Sequence, residues 1–245
     1  MQVIVTKDFA QTASVVAEMI LTLVKEKPDC RLGLATGSTA EAVYPHIVAA
    51  CKAGKADFSK TKSVNLDEYV GLSPEHPQSY RASMNRWLFD HINIDKKNTV
   101  VASGLGNPDE AVKAFNKAID EGGRIDLQLL GVGIDGHVGF NEPGKCLYAA
   151  AHREKLTEST IEANKRFFES REEVPTEAIT MGLGAIMKAK KVVLAATGKS
   201  KADAMRQLLM TDEITPEMPC SMLKMHPDAV IIIDQALADE IGYKA

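Results

Sequence analysis

The sequence predicts an α/β fold in which helices cover both faces of a central, mainly parallel sheet, so that the domain has three layers. Short apolar runs rich in Val, Ile and Leu recur along the chain, and several are apolar on both faces, as in strands buried between helices. Amphipathic stretches with helical periodicity lie between these runs. Alternation of this kind is typical of parallel sheets.

The predicted elements follow one another without a break that would require two domains, so residues 1–245 are expected to form one domain. The predicted strands are residues 2–5, 31–36, 63–67, 98–102, 125–132, 191–197 and 229–234. The predicted helices are residues 8–26, 39–53, 78–91, 108–121 and 199–210. Residues 156–178 are polar, charged and only weakly periodic, which predicts a helical lid over a site.

Composition excludes several classes of partner and site. The net charge is −4 and the lysines are scattered, so neither nucleic acid nor an anionic membrane is expected to bind. No apolar run is long enough to span a bilayer and the first residues do not resemble a signal peptide, so we expect a cytoplasmic protein. The cysteines form no C-x-x-C pair and the histidines no ligand pairing, so no metal site is predicted.

Two strand ends carry candidate anion-binding groups. The segment "TGSTA" (36–40) follows the second strand and opens a helix, where Thr39 is the expected N-cap and free backbone N–H groups can bind an anion. The segment "GKS" (198–200) is not a Walker A loop, because Val193 stands where its first glycine would be. Lys199 and Lys201 still lie at the start of a helix, where a cation can bind phosphate; a solvated surface lysine is the alternative.

The third strand ends in "NLDEY" (65–69), which places Asp67 at a strand's carboxyl end. Ligands bind beyond these ends in α/β sheets, and a cleft can raise the pKa of a carboxyl group toward neutrality. Asp67 is therefore a candidate general base, with a structural role in a turn as the alternative.

The segment "GVGIDGHVGFNEPG" (131–144) contains the G-x-G-x-x-G spacing of a dinucleotide-binding loop. That loop needs a helix at its third glycine, whereas Gly139, Pro143 and Gly144 prevent one here. The informative residues are instead Asp135, His137 and Glu142. An imidazole flanked by carboxylates is held in one tautomer and made more basic, so we predict proton transfer.

Together these segments resemble the glucosamine-6-phosphate deaminase family of the sugar-phosphate isomerase-like, Rossmann-related superfamily. The matching segments run in family order over nearly the whole chain: "LGLATGST", "NLDEYVGL", "HPQSYRASM", "LQLLGVGIDGHVGFNEPG", "NKRFFES", "AITMGLGAIMKAKKVVLAATGKSKA" and "LKMHPDAVIIID". The resemblance implies that glucosamine 6-phosphate and water are converted to fructose 6-phosphate and ammonia without an organic cofactor.

The resemblance also implies a role for each matching residue. Asp67 moves a proton between C2 and C1, His137 opens the sugar ring, and Asp135 and Glu142 orient and tune that histidine. The implied phosphate-binding residues are Thr36, Gly37, Ser38 and Thr39 in the first loop, Arg166 in the lid, and Lys201 rather than Lys199.

One departure concerns regulation. Longer, hexameric members of the family carry extra C-terminal sequence that contributes to an allosteric site for an N-acetylated sugar phosphate, whereas this chain stops at "DEIGYKA". We therefore expect a monomer or small homo-oligomer without that regulation.

Two alternatives to deamination stay open at this point. The first is a lactonase or isomerase of the same superfamily that acts on another sugar phosphate; such a lactonase would share the G-x-G-x-D-G-H loop, although "FNEPG" favours deamination. A sugar-phosphate sensor is the second, although the sequence has no helix-turn-helix stretch and keeps all four candidate catalytic residues.

Overall fold

The computed structural model describes residues 1–244 as two β-sheets and eight α-helices. The strands are β1 (Gln2–Thr6), β2 (Arg31–Leu34), β3 (Lys62–Asn65), β4 (Asp67–Tyr69), β5 (Thr99–Val100), β6 (Leu127–Leu130), β7 (His152–Lys155), β8 (Glu177–Thr180), β9 (Lys191–Ala196) and β10 (Ala229–Asp234). The helices are α1 (Phe9–Glu26), α2 (Ser38–Lys52), α3 (Tyr80–Met84), α4 (Pro108–Glu121), α5 (Glu158–Asn164), α6 (Leu183–Met187), α7 (Ala202–Met210) and α8 (Gln235–Ile241).

The central sheet has seven strands in the order β1-β10-β9-β6-β2-β3-β5, and every pair in it is parallel. After β2 the chain proceeds to β3 and β5 on one side, and after β6 it proceeds to β9 and β10 on the other. The order therefore switches between β2 and β6, whose carboxyl-terminal loops leave a crevice between them. Open α/β sheets bind ligands at such a switch point.

Helices complete the three predicted layers. Because crossovers between parallel strands are right-handed, the direction of a crossover decides on which face of the sheet its helix lies. The crossovers that contain α1 and α2 run toward β5, and the crossover that contains α7 runs toward β1, so these helices lie on opposite faces. Accordingly, α1 packs on α2, and α7 packs on α8. The strands between them are buried over nearly their whole length, as in β10, where every residue is buried. The predicted α/β class is confirmed. None of the helices within residues 1–244 has both the length and the apolar character that crossing a membrane requires.

A small antiparallel sheet, in the order β4-β8-β7, was not expected from the sequence. β7 contains only polar residues, which are alternately half-buried and exposed, so it lacks the apolar signal of a strand. The predicted third strand, 63–67, is divided, because β3 ends at Asn65 and Asp67 begins β4. The predicted lid, 156–178, contains α5 and two 3-10 turns, and its last residues belong to β8. Its closure over a ligand stays a prediction.

Two predicted helices are shorter than the sequence indicated. The 78–91 stretch forms α3 followed by a π-helical turn, and the 199–210 stretch begins with a 3-10 turn before α7. The short helices α6 and α8 were missed, because a helix of two turns gives too few repeats of the apolar period to be recognised.

Asp126 holds together the amino ends of the central strands. Its buried carboxylate accepts hydrogen bonds from the backbone N–H of Arg31 at 2.9 Å and from the ammonium groups of Lys27 and Lys190, each at 2.7 Å. Burial alone would raise the pKa of Asp126, but these donors outweigh it and hold the pKa below its usual value. The ionised carboxylate therefore stabilises the fold, and this contribution is lost as the pH falls through the lowered pKa.

We expect Asp126→Asn to lower the free energy of unfolding by about 2 kcal/mol near neutral pH, because hydrogen bonds to a charged group are weakened. The melting temperature should fall by about 4–8 °C, and the difference from the parent should shrink in acid. Thermal unfolding followed by circular dichroism measures both. The matched control is Asp228→Asn, which removes an exposed ion pair with Lys191 and should change little. An equal loss at neutral and acid pH would contradict this role.

Candidate active site

A cleft of about 480 Å³ opens at the carboxyl ends of β9, β6, β2 and β3, which are neighbours in the central sheet. Each of these strands is followed by a loop that contributes to the cleft, and the 156–178 segment forms another wall. The structure therefore brings together nearly all the residues predicted from separate parts of the sequence. The predicted residues that line the cleft are Thr36, Gly37, Ser38, Thr39, Asp67, Asp135, His137, Arg166 and Lys201.

The loop after β2 presents the start of α2 to the cleft. The N-cap is Gly37, at φ 109°, and not Thr39 as expected, because the chain turns through a backbone conformation that favours glycine. No side chain caps this helix by a hydrogen bond. Its first-turn N–H groups and the positive end of its dipole thus face a region where an anion can accept hydrogen bonds from them.

Two cationic side chains line the same cleft as this helix start. Lys201 lines the cleft, and burial together with the nearby Arg166 guanidinium lowers its pKa, which Asp135 partly restores. Arg166 also lines the cleft, and its guanidinium lies 4.6 Å from the centre of the Phe167 ring. Lys199 instead forms an exposed ion pair with Glu240 at 3.1 Å. Of the two lysines, the cleft is therefore lined by Lys201, which is the one that the resemblance implies, and not by Lys199.

Asp67 is buried at the point where the chain passes from the central sheet into the small one. Its side chain is in the cleft although the residue is only 6% exposed. Gly139 approaches it so closely that a Cβ there would lie 3.4 Å from Oδ2, and its φ of 61° also favours glycine. Burial, reinforced by the charge of Glu68 and partly opposed by His137, raises the pKa of Asp67 to about 8. A carboxyl group with that pKa can exchange protons near neutral pH.

The loop after β6 contains no helix, as the sequence predicts, and brings Asp135, His137 and Glu142 together. Nδ1 of His137 lies 2.8 Å from Oδ1 of Asp135 and 3.5 Å from Oε2 of Glu142. Its N–H has no well-aligned hydrogen bond to either carboxylate, so the attraction is mainly between charges. Because both carboxylates are at Nδ1, the other ring nitrogen is left to exchange a proton with a ligand in the cleft.

Burial lowers the pKa of His137, but the two carboxylates outweigh this effect and raise it to about 9. Conversely, burial raises the pKa of Asp135, but its contact with His137 has the larger total effect and lowers it. The favoured state is therefore an imidazolium beside an ionised carboxylate. Such a group donates a proton readily and recovers it within the same site.

Glu142 differs from the other predicted residues because it does not line the cleft. Its side chain is 4% exposed and lies behind His137, where its Oε1 accepts a hydrogen bond from the Thr160 hydroxyl at 2.7 Å. Sequence spacing could place Glu142 near His137 but could not show on which side of the ring it lies.

The side chains of Asp135, His137 and Glu142 could together bind a metal ion. Within residues 1–244, ligand atoms of Asp135, His137 and Glu142 lie within 4.8 Å of one another. The pairing of an imidazolium with carboxylates accounts for their arrangement by charge alone, and we interpret the cluster as a proton-transfer group.

Several cleft residues were missed by the sequence reasoning. Most are aromatic or uncharged. Gln78 and Tyr80 lie between β4 and the π-helical turn, where the resembling segment "HPQSYRASM" is the one signal in the sequence. The half-buried Tyr80 stacks on the buried Phe140 with the ring planes 10° apart, and both rings line the cleft that also contains Asp67. The missed residues include Gln78, Tyr80, Arg86, Trp87, Phe140, Thr160 and Phe168.

Comparison with known proteins now gives the family. The sequence model described as glucosamine-6-phosphate isomerases/6-phosphogluconolactonase matches residues 6–232. The chain belongs to the glucosamine-6-phosphate isomerase/6-phosphogluconolactonase family. The resemblance stated from the sequence is thereby confirmed.

Relatives within this family differ in how closely they match. A glucosamine-6-phosphate deaminase of Clostridium perfringens is 50% identical over 239 residues, which cover 97% of this chain and 98% of the relative. A solved monomeric glucosamine-6-phosphate deaminase has a TM-score of 0.94 at 36% identity and covers 98% of this chain and 100% of its own. A solved 6-phosphogluconolactonase of Thermotoga maritima has a TM-score of 0.76 at 18% identity, covering 96% of this chain and 99% of its own, and shares the fold.

Proposed function

We propose that this protein is a glucosamine-6-phosphate deaminase, which converts glucosamine 6-phosphate and water to fructose 6-phosphate and ammonia. The observation that carries the proposal is the position of Asp67, a buried carboxyl group that shares one cleft with the Asp135–His137 pair and an uncapped helix start. The high identity to curated deaminases supports the same activity.

Substrate binding begins with the phosphate. The N–H groups at Gly37, Ser38 and Thr39 donate to its oxygens, with the Thr36 segment fixing the turn, while Lys201 and Arg166 neutralise its charge. These contacts hold C1 and C2 of the sugar over Asp67, so that binding energy away from the reacting atoms is used for orientation.

The reaction then needs proton transfers, for which the site supplies two groups. His137 protonates the ring oxygen and takes up the proton that the C1 hydroxyl releases, which gives the open-chain aldehyde. Asp67 removes the proton from C2 while His137 protonates the C1 oxygen, which forms an enolamine, and Asp67 then returns its proton to C1, leaving a protonated imine at C2. Water adds to C2 and gives one proton back to His137; the second proton of that water passes to the amine as the C2–N bond breaks, which releases ammonia and fructose 6-phosphate. Asp135 and Glu142 stabilise the imidazolium between turnovers.

This assignment gives a bell-shaped dependence of kcat/KM on pH. Asp67 must be ionised to act as a base, so activity rises as the pH passes about 8, and His137 must be protonated to act as an acid, so activity falls above about 9. Initial rates measured across this range should show both limbs. In Glu142→Gln the alkaline limb should move to lower pH, because one carboxylate that raises the pKa of His137 is lost. A flat profile across both values would contradict these assignments.

The nearest alternative is a lactonase of the same family, because the lactonase structures share the fold. Purified protein incubated with glucosamine 6-phosphate, and separately with 6-phosphogluconolactone, separates the two activities. We expect ammonia from the first substrate and no acceleration of hydrolysis of the second; the reverse result would overturn the proposal.

The protein is further proposed to act in the cytoplasm as a monomer or small homo-oligomer. The solved deaminase that it resembles is monomeric, which supports a small assembly.

A further inference from the structure

Glu142 is held from the side opposite His137 by the first turn of α5. The Thr160 hydroxyl donates a hydrogen bond to Oε1 at 2.7 Å, while Oε2 lies 3.5 Å from Nδ1 of His137. Thr160 is 5% exposed and Glu142 is 7% exposed, so water does not readily replace this contact. One carboxylate oxygen is therefore fixed by the hydroxyl, and the other is directed at the imidazole.

The hydroxyl itself is fixed by the start of the helix. Thr157 is the N-cap of α5, and its hydroxyl lies 3.0 Å from that of Thr160 and 3.4 Å from Oε2 of Glu142. Leu156 and Ile161 on either side pack into the apolar cluster under the small sheet. Thr160 thus stands on a packed element, whereas Glu142 is a long side chain with several rotatable bonds.

At 3.5 Å, the contact of Glu142 with His137 is too long to fix the carboxylate by itself. Without the Thr160 hydroxyl, the carboxylate keeps only this contact and the long one to the Thr157 hydroxyl at 3.4 Å, so the side chain can rotate away and leave Asp135 as the only close carboxylate. Misplacement of a supporting group by about 1 Å can cost a large part of the rate even when the group does not touch the substrate.

We propose that Thr160 is a positioning residue, whose hydroxyl holds the Glu142 carboxylate against His137 so that the imidazolium is stabilised for ring opening. This inference rests on the proposed deaminase function. Arg166 lies just beyond the end of α5, so the segment that reaches the phosphate also carries the hydroxyl that orients Glu142. Phosphate binding and orientation of the catalytic histidine then depend on one element.

The test compares Thr160→Val, which keeps the shape but removes the hydroxyl, with Thr160→Ser, which keeps the hydroxyl. For Thr160→Val we expect kcat to fall about tenfold, KM for glucosamine 6-phosphate to change by less than about twofold, and the alkaline limb of kcat/KM to move to lower pH. Thr160→Ser should recover most of the rate and the original limb. The charged groups facing His137 are Asp135 and Glu142 on its loop and Asp67 on β4, with Lys201 beyond Asp135, and none of these is changed.

The matched control is Thr12→Val, because Thr12 is a fully buried threonine in the first turn of α1 whose hydroxyl contacts Thr6 outside the cleft. This variant should leave kcat and the alkaline limb of the kcat/KM–pH profile unchanged. The proposal is overturned if Thr160→Val keeps the kcat and the alkaline pH limb of the parent, or if Thr160→Ser is as impaired as Thr160→Val. A parent protein that releases no ammonia would instead overturn the proposed function.

Discussion

The Asp67→Asn variant is expected to bind glucosamine 6-phosphate with nearly unchanged affinity and to lose about 10²–10⁴-fold in kcat. Asn has the size and shape of Asp, so the phosphate contacts remain, but its amide cannot take the proton from C2. Little water reaches this position to replace the lost base, because Asp67 is only 6% exposed. Steady-state rates of ammonia release, with KM determined separately, measure both quantities.

Loss of folding would be a trivial cause of the same result, and thermal unfolding separates the two. Burial makes the ionised Asp67 carboxylate unfavourable, so its neutral replacement should melt at no lower temperature than the parent at about pH 9. Asp203→Asn is the matched surface control, since the Asp203 side chain is 82% exposed, and it should retain full activity. Near-normal turnover by Asp67→Asn would remove Asp67 from the role of base.

Removal of the Lys201 ammonium should have the next largest effect. In Lys201→Met the phosphate loses a charged hydrogen-bond donor worth about 1.5–3 kcal/mol, so kcat/KM should fall by about 10–150-fold, mainly through KM. Methionine keeps much of the apolar length of the lysine side chain, so packing against the cleft wall is retained. Competition by inorganic phosphate provides a second measurement, and its inhibition constant should rise in parallel.

Lys199→Met is a close control, because Lys199 is two residues away but pairs with Glu240 on the surface. It should change kcat/KM by less than about twofold. Glucosamine without phosphate is a complementary substrate, whose slow turnover should not depend on Lys201. Equal effects of the two lysine variants would show that general charge, and not a phosphate contact, is responsible.

The sequence predicts the central sheet well because its strands are apolar on both faces, as β10 illustrates with six consecutive buried residues. It predicts the loops of the cleft because strand ends in a parallel sheet meet at one edge, so that Asp67 and His137 converge although they are far apart in the chain. The small sheet could not be predicted, since β7 is paired through its backbone and its side chains are all polar.

Details within the site depend on packing between separate segments, which local sequence patterns cannot predict. Thr39 has the side chain of an N-cap, yet Gly37 is the cap because the turn requires a positive φ. Glu142 was correctly placed near His137 but lies outside the cleft, behind the ring. Its partner Thr160 lies on a different element, and a hydroxyl that bonds across two loops leaves no periodic signal in the sequence.

Deamination with Asp67 as the base is tested most directly when ammonia and fructose 6-phosphate are measured together, from glucosamine 6-phosphate, with the parent protein and Asp67→Asn side by side. We expect equal amounts of the two products from the parent, and both rates reduced to about 1% or less in the variant. Fructose 6-phosphate or ammonia formed at an undiminished rate by Asp67→Asn, or no ammonia from the parent, would contradict this mechanism.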